Sequence, residues 1–141
     1  MNYLNALLIT LVNILLNLAI NAQTYKPYVK FSETPDKRIN STDLESTNFF
    51  VEYKSKKKAT IQIELIKDGK SYAYAKEVIK SKDKSVTKLN IIPKEGTKII
   101  PGAGYSIKLI MFEGEKNNAK NLISETIIND INLSRLMYTK I

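Results

Sequence analysis

Ile61-Gln62-Ile63-Glu64-Leu65-Ile66-Lys67-Asp68-Gly69-Lys70-Ser71-Tyr72-Ala73-Tyr74-Ala75 is the stretch that decides the fold. Apolar and polar residues alternate on either side of Asp68-Gly69, the period of a half-buried strand and not of a helix. A type I′ turn needs positive φ at both central residues, which aspartate tolerates and glycine adopts freely. The segment is therefore read as an antiparallel hairpin. A two-residue turn pairs Ile66 with Ser71, Leu65 with Tyr72 and Ile63 with Tyr74, which puts both tyrosines on the apolar face with Ile61. A three-residue loop pairs Lys67 with Ser71 and turns both tyrosines outward, opposite Ile66 and Glu64. The first register is the expected one.

Outward from this hairpin the same texture continues, with β-branched or aromatic runs at 28–32, 49–54, 60–66, 71–79, 86–92, 105–112 and 122–131. Glu95-Gly96 and Pro101-Gly102 break the chain before Tyr105, and a polar loop follows Phe112. Residues 33–48 hold Pro35 and hardly an apolar side chain except Ile39 and Leu44, so they read as a loop. No window after residue 22 sustains helical periodicity. The expectation is an all-β, two-sheet sandwich of about seven strands rather than βαβ units. It divides into a presequence at 1–22, a first strand and polar loop at 23–48, a sandwich body at 49–133 that forms one domain with 23–48, and a tail at 134–141.

The first 22 residues are uncharged and apolar between Leu4 and Ile20, and a small residue at Ala22 precedes Gln23. This is the pattern of a signal-peptide helix cleaved after Ala22. The alternative is a retained anchor, but Asn5, Asn13 and Asn17 interrupt the segment and unpaired amides are costly in hydrocarbon. No later stretch approaches the roughly 20 apolar residues a spanning helix needs. The expected location is secreted or periplasmic, with no membrane span after cleavage. A chain without cysteine forms no disulfides, which for a small exported domain points to a bacterial source.

Every charged side chain lies beyond residue 22, with a formal net charge of +8. The cations are 20 lysines and only 2 arginines, Arg38 and Arg135. Lysine is a point charge without the bidentate fork of arginine, so the balance fits diffuse attraction to a polyanion better than a shaped anion site. No aromatic-basic motif suggests nucleic acid, and none is expected as a partner.

Ile99-Ile100-Pro101-Gly102-Ala103-Gly104-Tyr105-Ser106-Ile107-Lys108-Leu109 places an apolar residue, Pro-Gly and then a tyrosine at the head of an alternating strand. This resembles the tyrosine corner of fibronectin type III and related immunoglobulin-like sandwiches, over about 49–131. The resemblance implies a structural role for Tyr105, whose hydroxyl would bond back to upstream backbone. The chain has no tryptophan where such domains carry one on an early strand; Phe49 or Phe50 is placed to fill that space. The Ala22-Gln23 junction and the Lys, Asn and Ile usage are similar to small exported proteins of Bacteroidota, many of which serve polysaccharide capture and degradation.

With no His and no Cys, the chain cannot build a Ser-His-Asp or Cys-His nucleophile system, a thiolate site or the usual zinc site. Glu52, Glu64, Glu77, Glu113 and Glu125 sit singly on alternating strands, as solvent-facing residues do, rather than as a hydrolytic pair. Asp36, Asp43 and Asp68 lack the spacing of a calcium loop. A lysine or tyrosine base survives by inventory, yet nothing clusters around one. No enzyme, cofactor or metal is expected.

Binding features are more specific. Lys54, Lys56, Lys57 and Lys58 flank one turn, and Lys80, Lys82 and Lys84 flank another. Both turns suit an anionic glycan, although lysine at strand ends also discourages edge-to-edge aggregation. Tyr72 and Tyr74 share one face of a regular strand and would stack on sugar rings only if that face were exposed. The expected function is an exported, non-catalytic accessory module that binds acidic polysaccharide. The alternative is a structural or protein-interaction subunit of the bacterial envelope, paired through a strand edge; a small polysaccharide-active enzyme ranks third.

Overall fold

A computed structural model describes residues 2–135, giving the backbone alone for 19–24. The apolar N-terminal segment forms the helix α1, Tyr3–Thr24, whose described side chains are all exposed. Two of its polar groups bond within the helix: Thr10 Oγ1 donates to the Ala6 carbonyl and Asn17 Nδ2 to the Asn13 carbonyl, each at 2.9 Å. Among the described residues no helix is long and apolar enough to cross a membrane.

Nine strands follow: β1 Tyr28–Phe31, β2 Arg38–Asn40, β3 Phe49–Ser55, β4 Ala59–Lys67, β5 Lys70–Ile79, β6 Lys82–Leu89, β7 Ile92–Pro93, β8 Gly102–Glu113 and β9 Leu122–Ser134. They make two sheets, a 3-stranded one of order β1-β3-β6 and a 6-stranded one of order β2-β9-β8-β4-β5-β7. The architecture is an all-β sandwich. Its core is the layer between the sheets, where Ile61, Ile63, Leu65, Ile107, Leu109 and Met111 from the larger sheet are fully buried with Val51 from the smaller. Alternate residues along β4 and β8 supply that layer, the consequence of the period-2 patterning in the sequence.

The central hairpin turns where expected but does not keep the expected register. Asp68 and Gly69 both have positive φ, 51° and 72°, and Ile66 pairs with Ser71. The register then shifts by one residue at Tyr72, so that Leu65 faces Ala73 and Glu64 faces Tyr74. This bulge separates the two tyrosines. Tyr72 is partly buried, its ring edge-on to Tyr105 with centroids 5.8 Å apart, whereas Tyr74 is 43% exposed on the outer face. Ala73 and Ala75 take the inward positions instead, leaving the space between the sheets to the isoleucines of β4.

The stretch 33–48 is not the plain loop expected. It contains β2 and a 3-10 turn, η1 Leu44–Ser46, because Ile39 and Leu44, its lone apolar residues, are both buried in the core. β2 lies parallel to β9, with Ile39 opposite Leu133. The sevenfold count is thus short by β2 and β7. β6 also begins earlier than its apolar residues suggest, at Lys82, because pairing with β3 carries it through a polar start. At the head of β8, Tyr105 is 1% exposed; its Oη donates to the Ile100 carbonyl at 2.7 Å and accepts from the Ile100 N–H at 3.3 Å. These bonds satisfy the hydroxyl inside the core and pin the chain before the strand.

Candidate functional site

Three chain reversals meet at one end of the sandwich. β3 ends at Ser55, whose Oγ donates to the Lys57 carbonyl at 2.8 Å and so folds the turn to β4. The pairings Ser55 with Lys82 and Ala59 with Ile79 bring the β5–β6 turn alongside. Ala59 also pairs with Glu113, which sets the β8–β9 loop on the other flank. That loop is tied down: the Gly114 N–H donates to the Lys58 carbonyl at 3.1 Å, and Thr60 Oγ1 to the Gly114 carbonyl at 2.6 Å.

Topology therefore gathers Lys54, Lys56, Lys57, Lys58, Lys80 and Lys82 at a single end, although the outermost members, Lys54 and Lys82, lie 28 positions apart in the sequence. Lys84 borders this group, since the pairing of Tyr53 with Ser85 and of Ser55 with Lys82 sets it beside Lys54. It lies further along β6 on the outer face of the smaller sheet, with its Nζ 3.5 Å from Glu52. The β8–β9 loop adds Lys116 and Lys120, both exposed, which sequence reasoning missed because only strand pairing places that loop here.

The gathered lysines are not equivalent. Lys57 pairs with Glu113 at 3.0 Å and Lys58 with Glu115 at 2.5 Å. The Lys58 ammonium holds the Glu115 carboxyl below its ordinary pKa. Lys54 and Lys56 instead lie over the ring of Tyr25, 5.0 and 4.1 Å from its centroid. Among the described residues Lys56, Lys80 and Lys82 make no ion pair and are exposed. On the adjoining outer face Glu52 collects Tyr28 Oη at 2.7 Å, Lys30 at 3.2 Å and Lys84. The tyrosine hydrogen bond, with the two ammonium groups, lowers the Glu52 pKa, and the same bond raises that of Tyr28.

Neither tyrosine of the hairpin shares this end. Tyr72 packs on Tyr105, and Tyr74 sits at mid-strand with the Lys94 ammonium 5.4 Å from its ring. The opposite end carries a different surface, a cavity of about 370 Å³ lined by Glu33, Asp36, Arg38, Asp43 and Phe50 among others. No group of three or more potential metal-ligating side chains occurs among the described residues. The lysine end presents ammonium donors on exposed turns.

No protein-family model matches the chain, and no curated protein matches it. Among solved structures it is similar to chicken MD-1 complexed with lipid IVa, at 12% sequence identity over 78% of this chain and 83% of that one, with a TM-score of 0.35.

Proposed function

We propose that the chain is an exported, non-catalytic binding module of a bacterial envelope or secretome, and that its lysine end holds an acidic polysaccharide, sulfated or uronic. The observation that carries this reading is the convergence of the two lysine turns, through the pairing of Ser55 with Lys82, on a surface whose acidic partners neutralise Lys57 and Lys58 but not Lys56, Lys80 or Lys82. Export follows from the presequence, with cleavage after Ala22. A fibronectin type III-like identity for the sandwich is supported by the β1-β3-β6 and β9-β8-β4-β5 strand orders and by the Tyr105 bond to Ile100.

The test is retention of the purified protein on immobilised polygalacturonate or a sulfated glycan, against a neutral glucan. Retention on the anionic matrices should fall with salt, because exposed charges are screened over about 10 Å at 0.1 M. It should also fall when Lys54, Lys56, Lys80 and Lys82 are changed together to Gln. Equal retention on the neutral matrix, or unchanged retention of the variant, overturns the reading.

A further inference from the structure

The β8–β9 loop brings both signs of charge to the lysine end. Its acids are Glu113 and Glu115, and each is engaged by one lysine of the β3–β4 turn, Lys57 and Lys58. The loop backbone is held independently of these ion pairs. The Glu113 N–H donates to the Asn121 carbonyl at 2.8 Å and closes the loop on itself, while the Gly114 N–H and carbonyl are bonded to Lys58 and Thr60. From β5, Lys76 Nζ donates to the Glu115 carbonyl at 3.1 Å. The loop therefore keeps its place whether or not its carboxylates keep their partners.

The ion pairs themselves lie open to solvent. Their side chains are 71% and 50% exposed in Lys57 and Glu113, and 60% each in Lys58 and Glu115. Among the described residues no second side chain bonds either carboxylate, so each can rotate off its ammonium at little cost. Glu52 is the contrast: it also meets lysines, but its side chain is 14% exposed and takes the Tyr28 hydroxyl as well. A freely turning carboxylate on a lysine is chemically what an acidic glycan brings, an anion with acceptor oxygens for the ammonium. Lys56, Lys80 and Lys82 are unpaired at the same end. A polyanion held by them presents its next acidic groups to Lys57 and Lys58 at high local concentration, an advantage that a free ion lacks.

Resting on the glycan reading of the lysine end, we propose that Glu113 and Glu115 are a built-in competitor for the ligand: they occupy Lys57 and Lys58 in the free protein, and a bound acidic glycan displaces them. Two acids of the chain's own then set how tightly the site holds its guest. The probe is a heparin octasaccharide, with a galacturonate octamer beside it, titrated against the full chain. Glu113→Gln, Glu115→Gln should bind roughly three- to tenfold more tightly. A gain in net positive charge alone has the same sign, and two comparisons separate the cases. Glu33→Gln, Asp36→Asn removes two charges from the cavity at the opposite end and should change binding less than about twofold, since exposed charges are screened over about 10 Å at 0.1 M salt. In a Lys57→Gln, Lys58→Gln background the two glutamate changes should have no further effect, because the competitor has lost what it competes for. In the unaltered protein, saturating glycan should raise the pH at which the Glu115 carboxyl titrates by NMR, because the Lys58 ammonium that lowers it has been drawn away. An undiminished gain in the lysine-deleted background, an equal gain from the distant pair, or a Glu115 titration unmoved by bound glycan overturns the proposal and leaves the glycan reading standing. Absence of binding by both oligosaccharides overturns the two together. The NMR measurement uses the unaltered protein and does not depend on any variant folding.

Discussion

The two ends of the sandwich are built on different principles. At the end holding Asp68-Gly69 and Tyr105, backbone conformation and burial fix the chain: Asp68, Gly69, Gly102 and Gly104 all have positive φ, and the tyrosine hydroxyl is bonded inside the core. At the lysine end the turns are shaped by a serine and a threonine, and the side chains that dominate the surface are held by partners no stronger than exposed carboxylates. Exposed ion pairs contribute about 0–1 kcal/mol each. One end therefore specifies the fold, while the other is free to carry a function without endangering it.

That contrast is broken most directly at Tyr105. Tyr105→Ala empties a buried aromatic site and should cost about 3–5 kcal/mol in a denaturant titration; a smaller loss than at an equally sized lysine-end substitution ends the distinction. Tyr105→Phe keeps the volume but leaves the Ile100 groups unpaired, with an expected loss of about 1–3 kcal/mol. Gly69→Ala should cost about 1 kcal/mol through conformation alone, since nothing lies within 4 Å of the added methyl group. Changing Lys54, Lys56, Lys80 and Lys82 to Gln should leave stability within about 0.5 kcal/mol while removing retention on the anionic matrix. The smallest effect is in pH. The stability contributed by the Tyr28–Glu52 bond is present above the ordinary carboxyl value of 4.5 and is lost as pH falls through the lower folded value of Glu52. At the alkaline side it is present below 10.0 and lost as pH rises through the raised value of Tyr28. Tyr28→Phe should move the Glu52 carboxyl titration upward, as read by NMR.

The sequence was most legible where local chemistry and burial agree. β4 and β5 follow from alternation around Asp68-Gly69, and the Tyr105 corner from Pro101-Gly102 ahead of an alternating strand. It was least legible where a strand exists because of a distant neighbour. Arg38-Ile39-Asn40 has one apolar residue, and only Leu133 in β9 makes it a strand. Lys82 to Ser85 reads as a turn until β3 lies beside it. The bulge at Tyr72 was hidden for a related reason: the turn fixes the first pairs, but the choice between alanine and tyrosine on the inward face is made by Tyr105, on a strand far along the chain. At the candidate site the clusters were visible as lysines, but their partners Glu113 and Glu115 were not, and so neither was the division into neutralised and free charges.

The parallel pairing of Ile39 with Leu133 also bears on how the chain is made. A ribosome delivers Ile39 long before Leu133, so the outermost ladder of the larger sheet has no template until β9 has been made. Pairing across so great a separation is slow to nucleate, and the nascent polypeptide cannot close that border before β9 emerges. A seam that waits for β9 leaves the strands made before it without that border until then.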